Sequence, residues 1–378
     1  MTGPTLSTGT GTTTATGPAG TGTTAAAGTT AAAGTAPGPG TNSDRPAVVL
    51  LSRRGATSLP EDLLARLQHR ATLDALALPR APDSATARRL LAGADLLAVT
   101  NACLPRLDPE LLAVAGRLHT VVLYATGHDA IDPDPLRRHG VGLVVVNDYA
   151  TGSVAEHALA LLLAGATRLH LANEVSRARL DPGVSLHGVE LAGRTVGVVG
   201  LGRIGIRVCD LARGIGMRVT GVDPDPIART RATAAGVRVT DLPDLLRSAD
   251  AVVLAASRRY GDPPVLGARE LGLLHPHVQL VNVARAQLVD TRAVLAALRS
   301  GALRGYAVDD VVADPDRDAD LLDQGRLVQT RHSAWWRDET LERGARMWGE
   351  RILAALAGAA PASDTVLAPT RPIRGEHR

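Results

Sequence analysis

Lysine and phenylalanine are missing from this sequence altogether. All 41 basic side chains are arginine, the pattern expected where AT-rich codons are disfavoured, so arginine content by itself says little about nucleic-acid binding. The formal charge is only +3 over 378 residues, and aromatics make up 2%. No arginine cluster is interleaved with the rings that nucleic-acid surfaces use for stacking, so no nucleic-acid partner is expected. Cysteine is equally scarce. Cys103 and Cys209 stand far apart and form no Cys-x-x-Cys pair, which excludes a disulfide framework and a thiolate metal site and fits a reducing compartment. Long apolar runs are absent as well. The longest, Ala158 to Ala166, is far below the ~20 residues that cross a bilayer. No apolar h-region precedes the first basic residue, Arg45, so the expectation is a cytoplasmic protein without membrane contact.

What is present is organised in stretches. The length exceeds what one hydrophobic core usually fills, which predicts two domains plus a tail, with function in a cleft between the domains. Residues 1 to 44 are almost wholly Thr, Gly, Ala, Ser and Pro, too poor in apolar bulk to offset the entropy of ordering; they read as a disordered tail. From Val48 onward short apolar runs alternate with amphipathic stretches. Strands are expected at Val48 to Leu51, Leu73 to Leu78, Leu96 to Val99, Thr120 to Tyr124 and Leu143 to Val146. Helices are expected near Glu61 to His69, Ala85 to Leu91 and Leu111 to Leu118. Such alternation predicts an α/β protein with parallel sheets covered by helices on both faces. Ala155 to Leu171 reads as one long apolar helix, facing either the core or a partner subunit. After a Gly- and Pro-rich loop a second alternating series begins at Thr195, with further strands at Val252 to Ala255, Gln279 to Asn282 and Gly305 to Val308.

The second series carries the first chemical signal. Strand Thr195 to Val199 runs into Gly200-Leu-Gly202-Arg-Ile-Gly205, a helix follows to Gly214, and strand Arg218 to Val222 ends at Asp223. A Gly-x-Gly-x-x-Gly alone is weak, but strand before, helix after and an acid at the end of the next strand make a dinucleotide-binding constellation. Gly200 permits the tight turn, Gly202 lets backbone approach a pyrophosphate, and Gly205 lets helix and strand pack closely. Free N–H groups at the helix start, where Arg203 and Ile204 stand, attract phosphate. Asp223 is suited to the adenosine ribose hydroxyls and would repel a 2′-phosphate, so the expected cofactor is NAD.

Glu190-Leu-Ala-Gly-Arg-Thr-Val-Gly-Val-Val-Gly-Leu-Gly-Arg-Ile-Gly205 resembles the cofactor region of the D-isomer-specific 2-hydroxyacid dehydrogenases, which include hydroxypyruvate reductases, phosphoglycerate dehydrogenases and the C-terminal-binding corepressors. Ser153-Val-Ala-Glu-His157 resembles the family's helix entering the cofactor domain. Val281-Asn-Val-Ala-Arg285 resembles the segment with its catalytic Arg, Asp309 to Pro315 the segment normally ending in Glu-Pro, and Thr330-Arg-His332-Ser-Ala-Trp335 the catalytic His segment. The resemblance runs from about residue 48 onward. It implies two Rossmann-like domains, the NAD-binding one (151–331) inserted into a discontinuous substrate-binding domain (45–150 and 332–378), and a homodimer. It also implies catalytic Arg285, Asp314 and His332, cofactor contacts from Ala284 and Asp309, and substrate contacts from Ala125, Thr126, Gly127, Arg285 and Trp335.

The chemistry of a 2-keto acid reduction asks for the same residue types. A cation must hold the carboxylate and polarise the carbonyl, which Arg285 can do bidentately. An acid must protonate the forming alkoxide, which His332 can do near neutral pH, and a carboxylate at Asp314 would favour its imidazolium. Departures from the family pattern point to an uncommon substrate. Asp314 stands for the usual Glu, Ala125-Thr126-Gly127 for Gly-x-Gly, Ser257 for a Pro, Ala286 for a Gly and Arg331 for a Pro. Trp335 is placed to wall the substrate pocket or to pack in a core. His275-Pro-His277 lacks acidic or thiol partners, so no metal is expected. The competing function is an NAD(H)-sensing, corepressor-like binding protein; retention of Arg285, Asp314 and His332 favours an enzyme acting on a small 2-keto or D-2-hydroxy acid.

Overall fold

The computed structural model describes residues 45–371 and Ile373; the segment read as a tail lies outside them. Their thirteen strands form two sheets. The first joins β1 (Ala47–Ser52), β2 (Thr72–Ala77), β3 (Leu96–Thr100), β4 (Thr120–Tyr124), β5 (Gly142–Val145) and β13 (Thr365–Leu367) in the order β13-β5-β4-β3-β1-β2. The second joins β6 (Thr195–Val199), β7 (Arg218–Val222), β8 (Arg238–Val239), β9 (Ala251–Leu254), β10 (Gln279–Asn282), β11 (Gly305–Val308) and β12 (Leu327–Gln329) in the order β12-β11-β10-β9-β6-β7-β8. Every pairing is parallel except β13 with β5.

The sequence makes this arrangement because the central strands are apolar on both faces. β3 (LLAVT) and β4 (TVVLY) bury nearly every residue, as strands sandwiched between helical layers must. In the second sheet the order reverses between β6 and β9: the chain leaves β6 for β7 and β8, then crosses to β9 on the other side. The carboxyl ends on either side of that reversal are where an open parallel sheet leaves a crevice. After β12 the chain returns to the first sheet through the Asp338–Leu356 helix. Its Trp348 is fully buried, donates Nε1–H to the Val122 carbonyl at 3.2 Å, and stacks on Tyr124 with ring centroids 5.2 Å apart.

Two expected helices come out differently. The Leu111 to Leu118 helix is shorter, Pro109–Val114, and starts at an Asp108 cap whose carboxylate accepts from Leu111 N–H; Gly116 lies just past its end. The single helix expected over Ala155 to Leu171 is two, Thr151–Thr167 and Leu169–Ser176. Arg168 separates them at φ +58°, held there by guanidinium bonds to the carbonyls of Gln324 and Gly325. Several short helices lie outside the alternation read from the sequence, among them Pro133–His139 and Pro226–Ala234, each opened by an Asp-Pro pair. No helix among the described residues is long and apolar enough to cross a membrane.

Candidate active site

The glycine turn sits at the carboxyl end of β6, beside the reversal. Gly200 has φ +93°, and a Cβ there would meet the Ala256 backbone at 2.5 Å, so only glycine fits the turn. A Cβ at Gly205 would collide with the Gly200 carbonyl oxygen, because the Arg203–Gly214 helix crosses β6 without room for a side chain. Gly202 differs: nothing lies within 4 Å of where its Cβ would stand. That leaves an open cradle at the first turn of the helix, the shape a pyrophosphate requires. Asp223, at the end of β7, accepts from Leu201 N–H at 2.7 Å on one oxygen and from Asp225 N–H at 2.8 Å on the other. Its carboxylate is thereby fixed beside the glycine turn while remaining partly exposed. Ile204 packs toward the core, and the Arg203 guanidinium lies 3.8 Å from Asp148.

These positions separate packing from binding in a measurable way. Gly205→Ala is expected to destabilise the fold by about 1–3 kcal/mol through overpacking. Gly202→Ala, at φ −71° and with free space around it, is expected to leave stability within about 0.5 kcal/mol while weakening NADH binding. Denaturant unfolding beside nicotinamide fluorescence titration checks both.

Arg285 follows β10, two strands over from β6 and so roughly 10 Å along the same sheet edge. Its Nε donates to Asp129 Oδ1 at 2.8 Å and its Nη1 to the Ala284 carbonyl at 2.8 Å. Its remaining amino group lies against Gly127, where a Cβ would collide with it. The loop after β4 and the loop after β10 therefore meet at this guanidinium, which brings Gly127 and Arg285 together as expected substrate residues. Ala125 is buried and its N–H is used by Leu123 O, while Thr126 turns its hydroxyl to Val146 O at 3.1 Å. Beside them His128 keeps a buried Nδ1 with no hydrogen-bond partner among the described residues. Burial holds its pKa below the ordinary histidine value, opposed by Asp129 and reinforced by Arg259 and Arg285.

His332 stands on the loop after β12 with its side chain exposed and its backbone at φ +58°. The expected Asp314–His332 contact is not formed. Asp314 is exposed and accepts from Asp316 N–H and Arg317 N–H, both at 3.0 Å, which hold its carboxyl below the usual range. The cause is local: a short side chain before Pro315 finds backbone donors two and three residues ahead and closes its own turn. Asp309, expected at the cofactor, is held by the loop after β12. Only 4% exposed, it accepts from Thr330 Oγ1 (2.7 Å), Ser333 N–H (2.8 Å) and Ala334 N–H (3.0 Å), bonds that bracket Arg331 and His332 on both sides. Trp335 is half-buried, packed against the core and against Trp336 at 5.2 Å.

With this geometry in view, known proteins give the wider frame. Residues 159–334 match the family model described as D-isomer specific 2-hydroxyacid dehydrogenase, NAD binding domain. Glyoxylate reductase of Pyrococcus furiosus is 31% identical over 278 residues, 71% of this chain and 81% of that protein. The chain belongs to the D-isomer specific 2-hydroxyacid dehydrogenase family. D-3-phosphoglycerate dehydrogenase of Mycobacterium leprae is 34% identical over 277 residues, and there the match takes in 73% of this chain but only 52% of the relative, so the chain spans about half of that protein. Among solved structures, D-lactate dehydrogenase from Aquifex aeolicus, determined with NAD and lactic acid, superposes with a TM-score of 0.70 at 25% identity, covering 85% of this chain and all of that one.

As a family member the chain uses an NAD-binding domain, and the open cradle at Gly202 fits that cofactor. Three residues in contact with the candidate site were given no role from the sequence, although His157 and Thr330 lie in the matching segments. Asp129 anchors Arg285. Thr330 and His157 extend the Asp309 network, with His157 Nε2 3.0 Å from Thr330 Oγ1 and 3.6 Å from Asp309. The signal for Asp129 was available, since a guanidinium held in a half-buried cleft calls for a carboxylate, and Asp129 lies two residues past Gly127.

Proposed function

We propose that the protein is an NAD-dependent oxidoreductase acting on a small 2-keto or D-2-hydroxy acid. The observation that carries this reading is the Arg285 guanidinium, clamped by Asp129 and Ala284 O against Gly127, on the same sheet edge as the Gly200–Gly205 turn. Bound NAD supplies the hydride acceptor or, reduced, the donor. Arg285 grips the substrate carboxylate and polarises the carbonyl, with its orientation set by Asp129. His332 gives the proton to the alkoxide oxygen in reduction and takes it back in oxidation. Asp309 acts on neither substrate nor proton but positions the His332 loop through Thr330, Ser333 and Ala334.

The reading extends to a homodimer, supported by the exposed Leu163 and Leu169 on consecutive helices, and to a reducing, cytoplasmic setting, supported by two buried free cysteines. Its test is NADH consumption against a panel of 2-keto acids including glyoxylate, hydroxypyruvate, pyruvate and bulky branched or aromatic examples. NADH is expected to bind at least about tenfold more tightly than NADPH, a difference of ~1.4 kcal/mol, because Asp223 meets a 2′-phosphate with like charge; equal affinities overturn that assignment. A second reading, binding of NAD(H) without turnover, draws on the Asp314 side chain being held in its own turn rather than on His332. NADH-driven association with no substrate in the panel would favour it.

A further inference from the structure

The far edge of the second sheet holds a cationic cavity that the proposed reaction does not use. It lies at the amino ends of β6, β9, β10 and β11, opposite the edge that carries Gly200, Arg285 and Asp309. Its volume is about 40 Å³, and its polar lining is Arg194, Asp250, His277, Gln279 and Arg304. By this measure one water needs roughly 10–15 Å³, so the space suits one small group and not a nucleotide.

The charges do not balance inside the protein. Asp250 is the sole carboxylate in the lining, and both its oxygens are engaged: Oδ2 accepts Thr195 N–H at 2.8 Å, while Oδ1 accepts Arg194 Nη1 at 3.3 Å and lies 3.4 Å from His277 Nε2. Arg304 is left with one long bond, to the His187 carbonyl at 3.5 Å. Burial and the neighbouring charge of Arg194 hold its pKa below the ordinary guanidinium value. Arg168 stands in the same relation to Arg304 and Arg326, and its two Nη groups donate to the carbonyls of Gly325 and Gln324. Gln279 supplies an independent observation. It is 8% exposed, wedged between Gly165 and Gly305, lines the cavity, and its side-chain amide has no hydrogen-bond partner among the described residues.

We infer that this cavity is a binding site for a small oxyanion, a phosphate or a carboxylate, held by the Arg304 guanidinium and the Gln279 amide with Arg194 and His277 at its wall. A guanidinium presents a planar fork of donors suited to such oxygens, and a half-buried cation without a carboxylate partner gains most from one. The site is separate from the substrate cleft: β10 runs from Gln279 at the cavity to Asn282 below Arg285, roughly 10 Å at strand spacing. An anion there would brace the two strands that lead to Arg285 and Asp309.

The test is a thermal unfolding titration of the full chain with inorganic phosphate, at saturating NADH so that the anion-attracting glycine turn is already filled, against sodium chloride of equal ionic strength. Phosphate at ten times its dissociation constant is expected to raise Tm by roughly 2–3 °C over chloride. Sodium acetate, run in parallel, separates the two chemistries: an equal shift assigns a general oxyanion site, a shift with phosphate alone a phosphate site. Arg304→Gln, at a half-buried position, is expected to fold and to lose the shift; Gln279→Leu is expected to lose it too. No shift over chloride with either anion in the parent, or a shift as large in Arg304→Gln as in the parent, overturns the inference. Neither outcome bears on the 2-keto acid assignment, which the NADH-consumption panel tests separately.

Discussion

Arg285→Ala is expected to lower kcat/KM for the best substrate of the 2-keto acid panel by roughly 10³-fold, with kcat falling and KM rising together. Both parameters move because one guanidinium is asked to hold the carboxylate in the ground state and to stabilise charge on the carbonyl oxygen as hydride arrives. NADH affinity should change little, since Arg285 bonds to Asp129 and Ala284 O and not to the glycine turn. Asp129 makes the prediction sharper. It is 16% exposed in its side chain and fixes Arg285 Nε at 2.8 Å, so Asp129→Asn, which keeps an acceptor and loses the charge, should cost about tenfold. Asp129→Ala, which frees the guanidinium, should cost more and should act mainly on KM. Arg285→Lys should not rescue, because an ammonium cannot bond Asp129 and Ala284 O while presenting a second fork to substrate. Steady-state kinetics on the best substrate of the panel decides it. If Asp129→Ala and Arg285→Ala both retain parental constants, the carboxylate is held elsewhere in the cleft.

The same pair illustrates what local sequence could convey. The β/α alternation was legible because buried parallel strands such as β3 and β4 must be apolar on both faces, and the roles of Gly200, Gly202 and Gly205 follow from one turn closed within six residues. Contacts that close over long chain distances were not legible. Asp129 and Arg285 are 156 residues apart, and nothing in the run Thr126-Gly-His-Asp129 states which cation it will meet. Arg168 breaks the helix expected over Ala155 to Leu171 because the carbonyls of Gln324 and Gly325, far along the chain, capture its guanidinium; apolar periodicity carries no trace of them. At Asp314 the local contacts prevail instead. Family position pointed it at His332, but two backbone N–H groups within three residues compete for the same short carboxylate, and the nearer partners win. Asp309 was read from family position as a cofactor contact; its burial and its three bonds to Thr330, Ser333 and Ala334 close over more than twenty residues and were not legible from that position.

Those three bonds set up the second large effect. His332→Ala is expected to slow turnover by roughly 10² to 10⁴-fold with NADH affinity barely altered, the signature of a lost general acid. The two nearby aspartates should then separate by their contacts. Asp309→Asn replaces charge-assisted bonds from Ser333 and Ala334 N–H with neutral ones and turns a donor toward one of them, so the loop on which His332 stands loses its fixed position. Its turnover should fall by about 10-fold or more, with no recovery from high substrate concentration. Asp314→Asn touches only the turn at Asp316 and Arg317, and its rate and pH profile should stay with the parent. The pH profile supplies the discriminating sign. A carboxylate reaching His332 during turnover favours imidazolium and raises its pKa, and reduction needs the protonated form. Removing that carboxylate would therefore shift the alkaline limb of the reduction profile to lower pH. A shift of that limb in Asp314→Asn, together with a silent Asp309→Asn, would return Asp314 to the relay and show that the 314–317 turn opens when substrate binds. An unshifted limb with a slow Asp309→Asn leaves proton transfer to His332 alone, held in place from Asp309 through the backbone on either side of it.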